Sequence, residues 1–350
     1  MQDSPSGAPP EPLDHVDRAL IETLQINPRA SWTAVGSVLR IDPVTAARRW
    51  QRLEQEGLAW VSVYPVVDQQ MTCALVDIGT KPADRRSVAR AIADDPHVYT
   101  LERTTGSPGL RAIVVAASLE ELTERSLDRM EGIPGVRLVE AHLVTHMYSE
   151  GARWRMRELT AAQVAEVHET VPRPPTGVGL PEETVDTALL AALVRNGRAT
   201  GTELADVLGT TPPTARRRLE RAVAGGRIIF RCDVAQSFTE WPVCTTFRAA
   251  VRPERLRATA QTLTSLPEIR MCLAVTGRYN LAFSVWLKGL DDAHRLESLL
   301  GERLPDLEIG ERTVVLRPYK SGGRAVDRSG RAVGAGNLVP AGPFPSAGGH

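Results

Sequence analysis

DRALIETLQINPRASWTAVGSVLRIDPVTAARRWQRLEQEG (residues 17–57) returns without a gap as DTALLAALVRNGRATGTELADVLGTTPPTARRRLERAVAGG (186–226). Asp17 falls on Asp186, an offset of 169, and Arg29 falls on Arg198, Leu39 on Leu208, Pro43 on Pro212 and Gly57 on Gly226. Self-similarity of this length governs the rest of the reading, because each copy has to be one folding unit.

Inside the first copy, Leu20, Ile21 and Leu24 form an i, i+3, i+4 stripe, which predicts a first helix. Trp32, Val35, Val38 and Leu39 predict a short second one. Asp42-Pro43 then offers an N-cap and a residue suited to the first helical position. Ala46, Trp50 and Leu53 follow at helical spacing, and Gly57 suits the stop. The second copy repeats the device with Thr211, Pro212, an inner face of Ala215, Leu219 and Ala222, and Gly225-Gly226. Short helices joined by a tight turn, the last one sharply capped, are how a recognition helix is offered to a major groove. The outward face carries Val44, Thr45, Ala47, Arg48, Gln51 and Arg52 in copy one, with Arg49 near the core edge. In copy two it carries Pro213, Thr214, Arg216, Arg217, Arg218 and Arg221. Arginine grips guanine or phosphate, Thr and Gln bond bases, and small residues permit close approach. These residues are the candidate DNA contacts.

Charge sharpens the expectation. The chain has 42 basic and 42 acidic residues, so any nucleic-acid affinity needs a local basic surface. Over 184–231, Arg195, Arg198, Arg216, Arg217, Arg218, Arg221, Arg227 and Arg231 face only Asp186, Glu203, Asp206 and Glu220, whereas signs balance over 13–60. The second module is expected to supply more of the salt-dependent affinity. Strand-like runs at 58–67 and 227–235 follow the two modules, as a wing or as a link onward.

Downstream the repeat continues at an offset of 171: Thr105-Gly106 on Thr276-Gly277, Pro96 on Pro267, Pro134 on Pro305. Period-two strands and amphipathic helices alternate as βαββαβ in each copy, the ferredoxin-like order. Such a sheet has one face under its helices and one face needing cover. A second sheet is the natural cover, from the other copy or from another chain. The expected fold class is α+β: two winged helix-turn-helix domains alternating with two ferredoxin-like domains for ligand sensing and dimerisation. Residues 1–12 read as disordered, 13–66 as helix-turn-helix domain 1 and 67–150 as ferredoxin-like domain 1. Residues 151–180 read as a linker with a short helix at 159–169, 181–236 as helix-turn-helix domain 2 and 237–320 as ferredoxin-like domain 2. The Gly/Ala/Pro/Ser-rich 321–350 reads as a disordered tail.

Cys73, Cys232, Cys244 and Cys272 make no C-x-x-C pair and read as buried thiols of a reducing compartment. His142 and His146 are spaced for a metal but lack a third ligand, so ordinary strand histidines are favoured and no metal or cofactor is expected. No apolar run is long enough to span a membrane and the N-terminus lacks an h-region. Neither a P-loop, G-x-S-x-G, G-x-G-x-x-G nor H-E-x-x-H occurs.

The order of modules resembles the Lrp/AsnC (leucine-responsive/asparagine-synthesis) family of transcription regulators. The matching stretches are LDHVDRALIETLQINPRAS, DPVTAARRWQRLEQEG, the TTG turn at 104–106 and IPGV at 133–136, with TVDTALLAALVRNGRAT, TPPTARRRLE, TGRYN and LPDL in the second copy. Family members usually carry one copy and dimerise; this chain looks like a tandem member. The resemblance implies a cytoplasmic, nucleoid-associated regulator whose partners are double-stranded DNA and an amino acid or similar small-molecule effector, working as a homo-oligomer or an intrachain pseudo-dimer, without enzyme activity. It places the effector near a turn reading T-G-x-Y-D. Here Thr276, Gly277, Arg278, Tyr279 and Asn280 stand there, with neutral Asn for Asp, a weaker partner for an ammonium. Copy one, Thr105-Gly106-Ser107-Pro108-Gly109, lacks both Tyr and Asp. Two other readings stay open: a DNA-independent small-molecule sensor, and an enzyme like the siroheme decarboxylases, which resemble the same fold pair. The latter needs several His and Arg around a tetrapyrrole, and the sequence shows no such cluster.

Overall fold

The computed structural model describes residues 13–65, 72–149, 154–171, 186–225 and 228–336. The expectations for residues 1–12 and 337–350, and for Gly226 and Arg227, lie outside the described residues.

The first helical module is α1 (His15–Ile26), α2 (Trp32–Leu39) and α3 (Pro43–Gln55). Asp14 caps α1 and Ser31 caps α2 through side-chain acceptors. Leu20, Ile21, Leu24, Val35, Ala46, Trp50 and Leu53 are buried together, each large side chain contributing about 1.5–3 kcal/mol by leaving water. α2 ends on Arg40 in the left-handed region, φ 56°, where the second copy has Gly209 at φ 59°. Glycine takes that conformation without cost and arginine does not.

β1 (Ala59–Pro65), β2 (Thr72–Thr80), α4 (Arg85–Ala93), β3 (Val98–Thr104) and β4 (Gly109–Ala116) follow. Next comes α5 over 119–131, whose middle turn, Leu122–Leu127, is π-helical. β5 (Val136–Ser149) closes the first half, and α6 (Ala161–Glu169) carries a capping box from Thr160 and Gln163. The second half repeats the order. It comprises α7 (Thr187–Arg195), α8 (Gly201–Leu208), α9 (Pro212–Ala224), β6 (Ile228–Val234), β7 (Val243–Ala250), α10 (Pro253–Thr264), β8 (Ile269–Val275), β9 (Leu281–Leu287), α11 (Leu290–Arg303) and β10 (Glu308–Ser321).

Each β-α-β-β-α-β unit buries one sheet face under its helices: Val76, Ile78, Val88, Ile92 and Leu101 in one, Phe247, Phe283, Leu263 and Leu296 in the other. The two opposite faces turn toward each other within the chain. β5 pairs with β8 and β10 pairs with β3, so the strands run β3-β4-β2-β5-β8-β9-β7-β10 and β10 returns to β3. The result is an eight-stranded barrel with the four helices outside. The Thr-Gly turns stitch both seams alike. Thr105 donates its amide to the Val314 carbonyl and accepts the Val314 amide on its hydroxyl; Thr276 does the same with Leu143. In the single chain described, the two sheets cover each other.

Three expectations need correction. Among the described residues neither helical module forms a wing of its own. β1 pairs antiparallel with β6, Ala59 opposite Val234 and Ile228 opposite Pro65, so one ribbon is shared by both modules. Each module supplies one described strand to it, and a lone strand must find a partner for its amides. Second, 154–171 is no free linker. Trp154 and Met156 are buried, and Glu22 accepts the amides of Glu158 and Leu159. Third, 321–336 is ordered rather than a tail. After β10 the chain turns into β11 (Arg324–Ala325) and bridges Val326 to Ala332. Arg324 donates to the Arg195 carbonyl, Arg331 donates to the Glu56 carbonyl, and Ala332 donates to Gly57. Backbone amides and arginines tie this stretch down, and apolar periodicity does not report them.

Candidate nucleic-acid interface

α3 and α9 are set outward by their own first turns. Asp42 Oδ1 accepts the amides of Val44 (2.8 Å) and Thr45 (3.3 Å), with Pro43 at the first helical position. In α9, Pro212 takes that position, but Thr211 bonds the Thr214 hydroxyl at 3.0 Å and no backbone amide. Ala46, Trp50 and Leu53 seat α3, and Ala215 and Leu219 seat α9. Val44, Arg48 and Gln51 are exposed on one helix; Pro213, Arg216, Arg217, Arg218 and Arg221 are exposed on the other. Thr45, Ala47 and Thr214 are half-buried beside them.

The arginines divide. Arg49 Nη1 lies 2.7 Å from Asp14 Oδ2 and 2.9 Å from Asp17 Oδ1, and Arg52 Nη2 lies 2.6 Å from Asp17 Oδ2. Arg52 also reaches Glu56 at 3.5 Å. Hydrogen bonding to Asp14 holds the Arg49 guanidinium above its ordinary pKa, against the opposing effect of burial. Arg218 repeats the Arg49 pairing with Asp186 at 3.0 Å. Arg49, Arg52 and Arg218, grouped from sequence with the groove-facing residues, therefore serve first to clamp the third helix onto the first. Arg48, Arg216, Arg217 and Arg221 have no carboxylate partner among the described residues. The Arg216 stem crosses Gly201, where a Cβ would come within 2.6 Å of it.

The modules also grip each other. Arg29 donates to the carbonyls of Gly197 and Ala199, and Arg198 donates to those of Pro28 and Ala30. The arrangement is two-fold symmetric at the 169-residue offset. Burial drives the Arg198 pKa down to about 10, with Arg29 beside it adding to the effect. Guanidinium planes over Trp32 (4.1 Å) and Phe230 (5.3 Å) offset part of that cost.

The effector turn is occupied by its own protein. Asn280 Nδ2 donates to the Val251 carbonyl (2.7 Å) and Oδ1 accepts the Val251 amide (2.9 Å). Thr276 is spent on the barrel seam, the Gly277 backbone lies against the His142 ring, and the Tyr279 ring lies against Gly310. Arg278 stacks over Tyr279 at 5.4 Å. Asn280 is thus a pin between a turn and the end of β7, and its amide does what a carboxylate cannot, since it donates as well as accepts.

Sequence reasoning missed the barrel interior. Asp77 meets Arg111 (3.0 Å) and Arg248, with Glu311 reaching both arginines and Thr313 accepting from Arg111. His142 Nε2 lies 3.2 Å from Arg248 Nη1, so it belongs to this buried network. Among the described residues no group of three His, Cys, Asp or Glu is placed to hold a metal, and no helix is long and apolar enough to cross a membrane. His97, Arg111, Arg231 and Arg270 also come to one cavity, a gathering of basic groups from four separate strands and loops that no local motif announces. All four thiols are free. Burial pushes Cys73 and Cys272 up to about 12, which disfavours their thiolate forms.

Comparison with known proteins agrees with this geometry. The AsnC-type helix-turn-helix domain family matches residues 13–54 and again 184–222, and the Lrp/AsnC ligand binding domain family matches 73–154. An uncharacterised HTH-type transcriptional regulator of Pyrococcus abyssi is 28% identical over 113 residues, covering 31% of this chain and 72% of the relative. Its counterpart in Pyrococcus horikoshii is 26% identical over the same shares. Among solved structures, the siroheme decarboxylase NirDL superposes with a TM-score of 0.51 at 14% identity, covering 88% of this chain and 93% of that one, a likeness of fold. The chain thus carries two AsnC-type helix-turn-helix domains with an Lrp/AsnC ligand binding domain between them.

Proposed function

We propose that this protein is a sequence-specific DNA-binding transcription regulator of the Lrp/AsnC type, carrying in one chain the pairing that single-copy members make between two. The observation that carries the reading is the exposed trio Arg216, Arg217 and Arg221, without a carboxylate partner among the described residues, on a helix opened by Pro212. Arg48, Thr45, Gln51 and Val44 offer a weaker counterpart on α3, with Ala47, Pro213 and Thr214 lining the approach. Because β1–β6 and the Arg29/Arg198 exchange hold the modules together, they read two half-sites at a set spacing, about one helical turn (~34 Å) or a multiple. The half-sites differ, since Ala47 in one copy stands where Arg216 stands in the other.

The second βαββαβ unit is read as a diverged copy of the ligand binding domain. An amino acid at the Thr276–Asn280 turn finds its polar atoms already taken, which moves effector binding elsewhere. The protein is read as cytoplasmic and nucleoid-associated, and as no enzyme: Arg111 is engaged by Asp77, Glu311 and Thr313, and His97 by Asp95 and Glu121. The deciding experiment is a footprint on DNA upstream of the protein's own coding region, with binding measured in rising salt. Two protected half-sites and a steep salt slope are expected. A shallow slope without protection leaves the DNA-independent sensor standing, and a Soret band on the purified chain favours the tetrapyrrole enzyme.

A further inference from the structure

A cavity of about 600 Å³ lies between the barrel strands, the β1–β6 ribbon and residues 328–330, within the size range of sites that take drug-sized molecules. Its walls are largely apolar, with Leu75, Ile113, Val115, Met271 and Leu273 on the strands and the indoles of Trp60 and Trp286 toward the helical modules. Polar groups also stand in the wall, and most of the charged ones are already matched. Arg111 is held by Asp77, Glu311 and Thr313. Arg231 and Arg270 share Asp233, at 2.8 and 3.6 Å, and Arg270 lies over the Trp286 ring at 4.6 Å. His97 sits between Asp95 and Glu121.

Glu102 is the exception. It faces the cavity from β3, is half-buried, and among the described residues its carboxyl has neither a hydrogen-bond nor an ion-pair partner. A carboxylate set in a largely apolar wall with nothing to accept from is costly. Accordingly, burial pushes this group up to about 7, against the pull of Arg111. Arg111, Arg231, Arg270 and His97 have carboxylates, Arg328 is exposed to solvent, and among the described residues the lone charged group away from solvent is acidic. The complement of the cavity is therefore a cation with a hydrocarbon body, not an anion.

We propose that this cavity is a binding site for an apolar organic amine, whose ammonium is held by Glu102 and whose body lies against Leu75, Ile113, Leu273 and Trp286. This site is separate from the DNA surface and does not rest on it. It also lies away from the Thr276–Asn280 turn. Trp60 and Ile229 line it from β1 and β6, the ribbon that carries both recognition modules, so an occupant touches the element that fixes their spacing.

The test titrates the full chain with dansylcadaverine, a primary amine on an apolar fluorophore, beside two relatives of similar size: dansyl-6-aminohexanoate, an acid, and N-hexyl dansylamide, which is neutral. Saturable, blue-shifted emission is expected for the amine, with the acid and the neutral compound at least 10-fold weaker. Glu102→Gln should cost the amine 10-fold or more while leaving the neutral compound unchanged. Leu273→Trp, which fills the cavity, should abolish all binding, and circular dichroism should show both variants folded. Absence of saturable amine binding, equal amine affinity in Glu102→Gln, or tighter binding of the acid would each overturn the proposal.

Discussion

The two helix-turn-helix modules share a backbone plan and differ in what their arginines do. In α3, two of three guanidiniums are tied to Asp14, Asp17 and Glu56, leaving Arg48; in α9, only Arg218 is tied, leaving Arg216, Arg217 and Arg221. One contact is common to both, third-helix Arg49 or Arg218 to first-helix Asp17 or Asp186. That common contact belongs to the fold, and what lies outside it belongs to the surface. One module leaves most of its arginine charge at the surface while the other ties most of its own to carboxylates.

The largest effect should come from breaking this asymmetry. Replacing Arg216, Arg217 and Arg221 together by Ala removes three candidate phosphate contacts. The salt slope of DNA binding should then fall by about 2.7, and affinity at moderate salt by two to three orders of magnitude. Arg48→Ala should lower the slope by only ~0.9. Filter binding at four salt concentrations checks both, and equal losses from the two variants would mean that the modules contribute alike.

The barrel halves diverge in the same manner. At the 171-residue offset Asp77 stands opposite Arg248 in the repeat, and the two side chains are bonded to each other. A homodimer built through this face would set Asp against Asp and Arg against Arg. This face therefore favours pairing of a first half with a second half over pairing of like halves. Asp77→Asn leaves Arg111 and Arg248 buried with one carboxylate between them, and breaking a buried pair in this way costs about 3–5 kcal/mol. Urea denaturation should show the loss, while Glu140→Gln, an exposed neighbour, should change little.

Much of this was legible in sequence and the limit is instructive. Caps, apolar spacing and the repeat located every helix of the recognition modules, because those signals lie within a few residues of one another. The shared β1–β6 ribbon, the Asp77 network and the cavity were not legible. They join residues such as Glu102 and Arg270 that no local period connects, and only strand pairing brings them together. The carboxylate partners of Arg49 and Arg218 were not legible for the same reason. An arginine on a third helix looks alike in sequence whether or not a carboxylate from an earlier helix reaches it.

Glu102 sharpens the comparison of halves, since the repeat has Leu273 at that position. Its folded pKa, raised to about 7, lies above the free value near 4.5, so the folded chain keeps a proton that the unfolded chain releases. This group's contribution is full below pH ~4.5 and is lost as pH rises through about 7, amounting to up to ~3 kcal/mol. Glu102→Leu should therefore melt higher than the parent at pH 8, with the gap closing toward pH 5. A gap independent of pH would mean that Glu102 has a partner in solution.

The smallest effect tests Asn280, which has Gly109 as its repeat partner. Asn280→Asp restores the acid of the family's T-G-x-Y-D turn, and if the turn bound an ammonium the change would create affinity. The geometry argues otherwise. Nδ2 donates to the Val251 carbonyl at 2.7 Å, and a carboxylate there has no proton to give, so two acceptors face each other. The variant should lose about 1–2 kcal/mol of stability and gain no amino-acid binding by calorimetry. Restored amino-acid binding without loss of stability would return the effector to this turn and make the Val251 contact incidental.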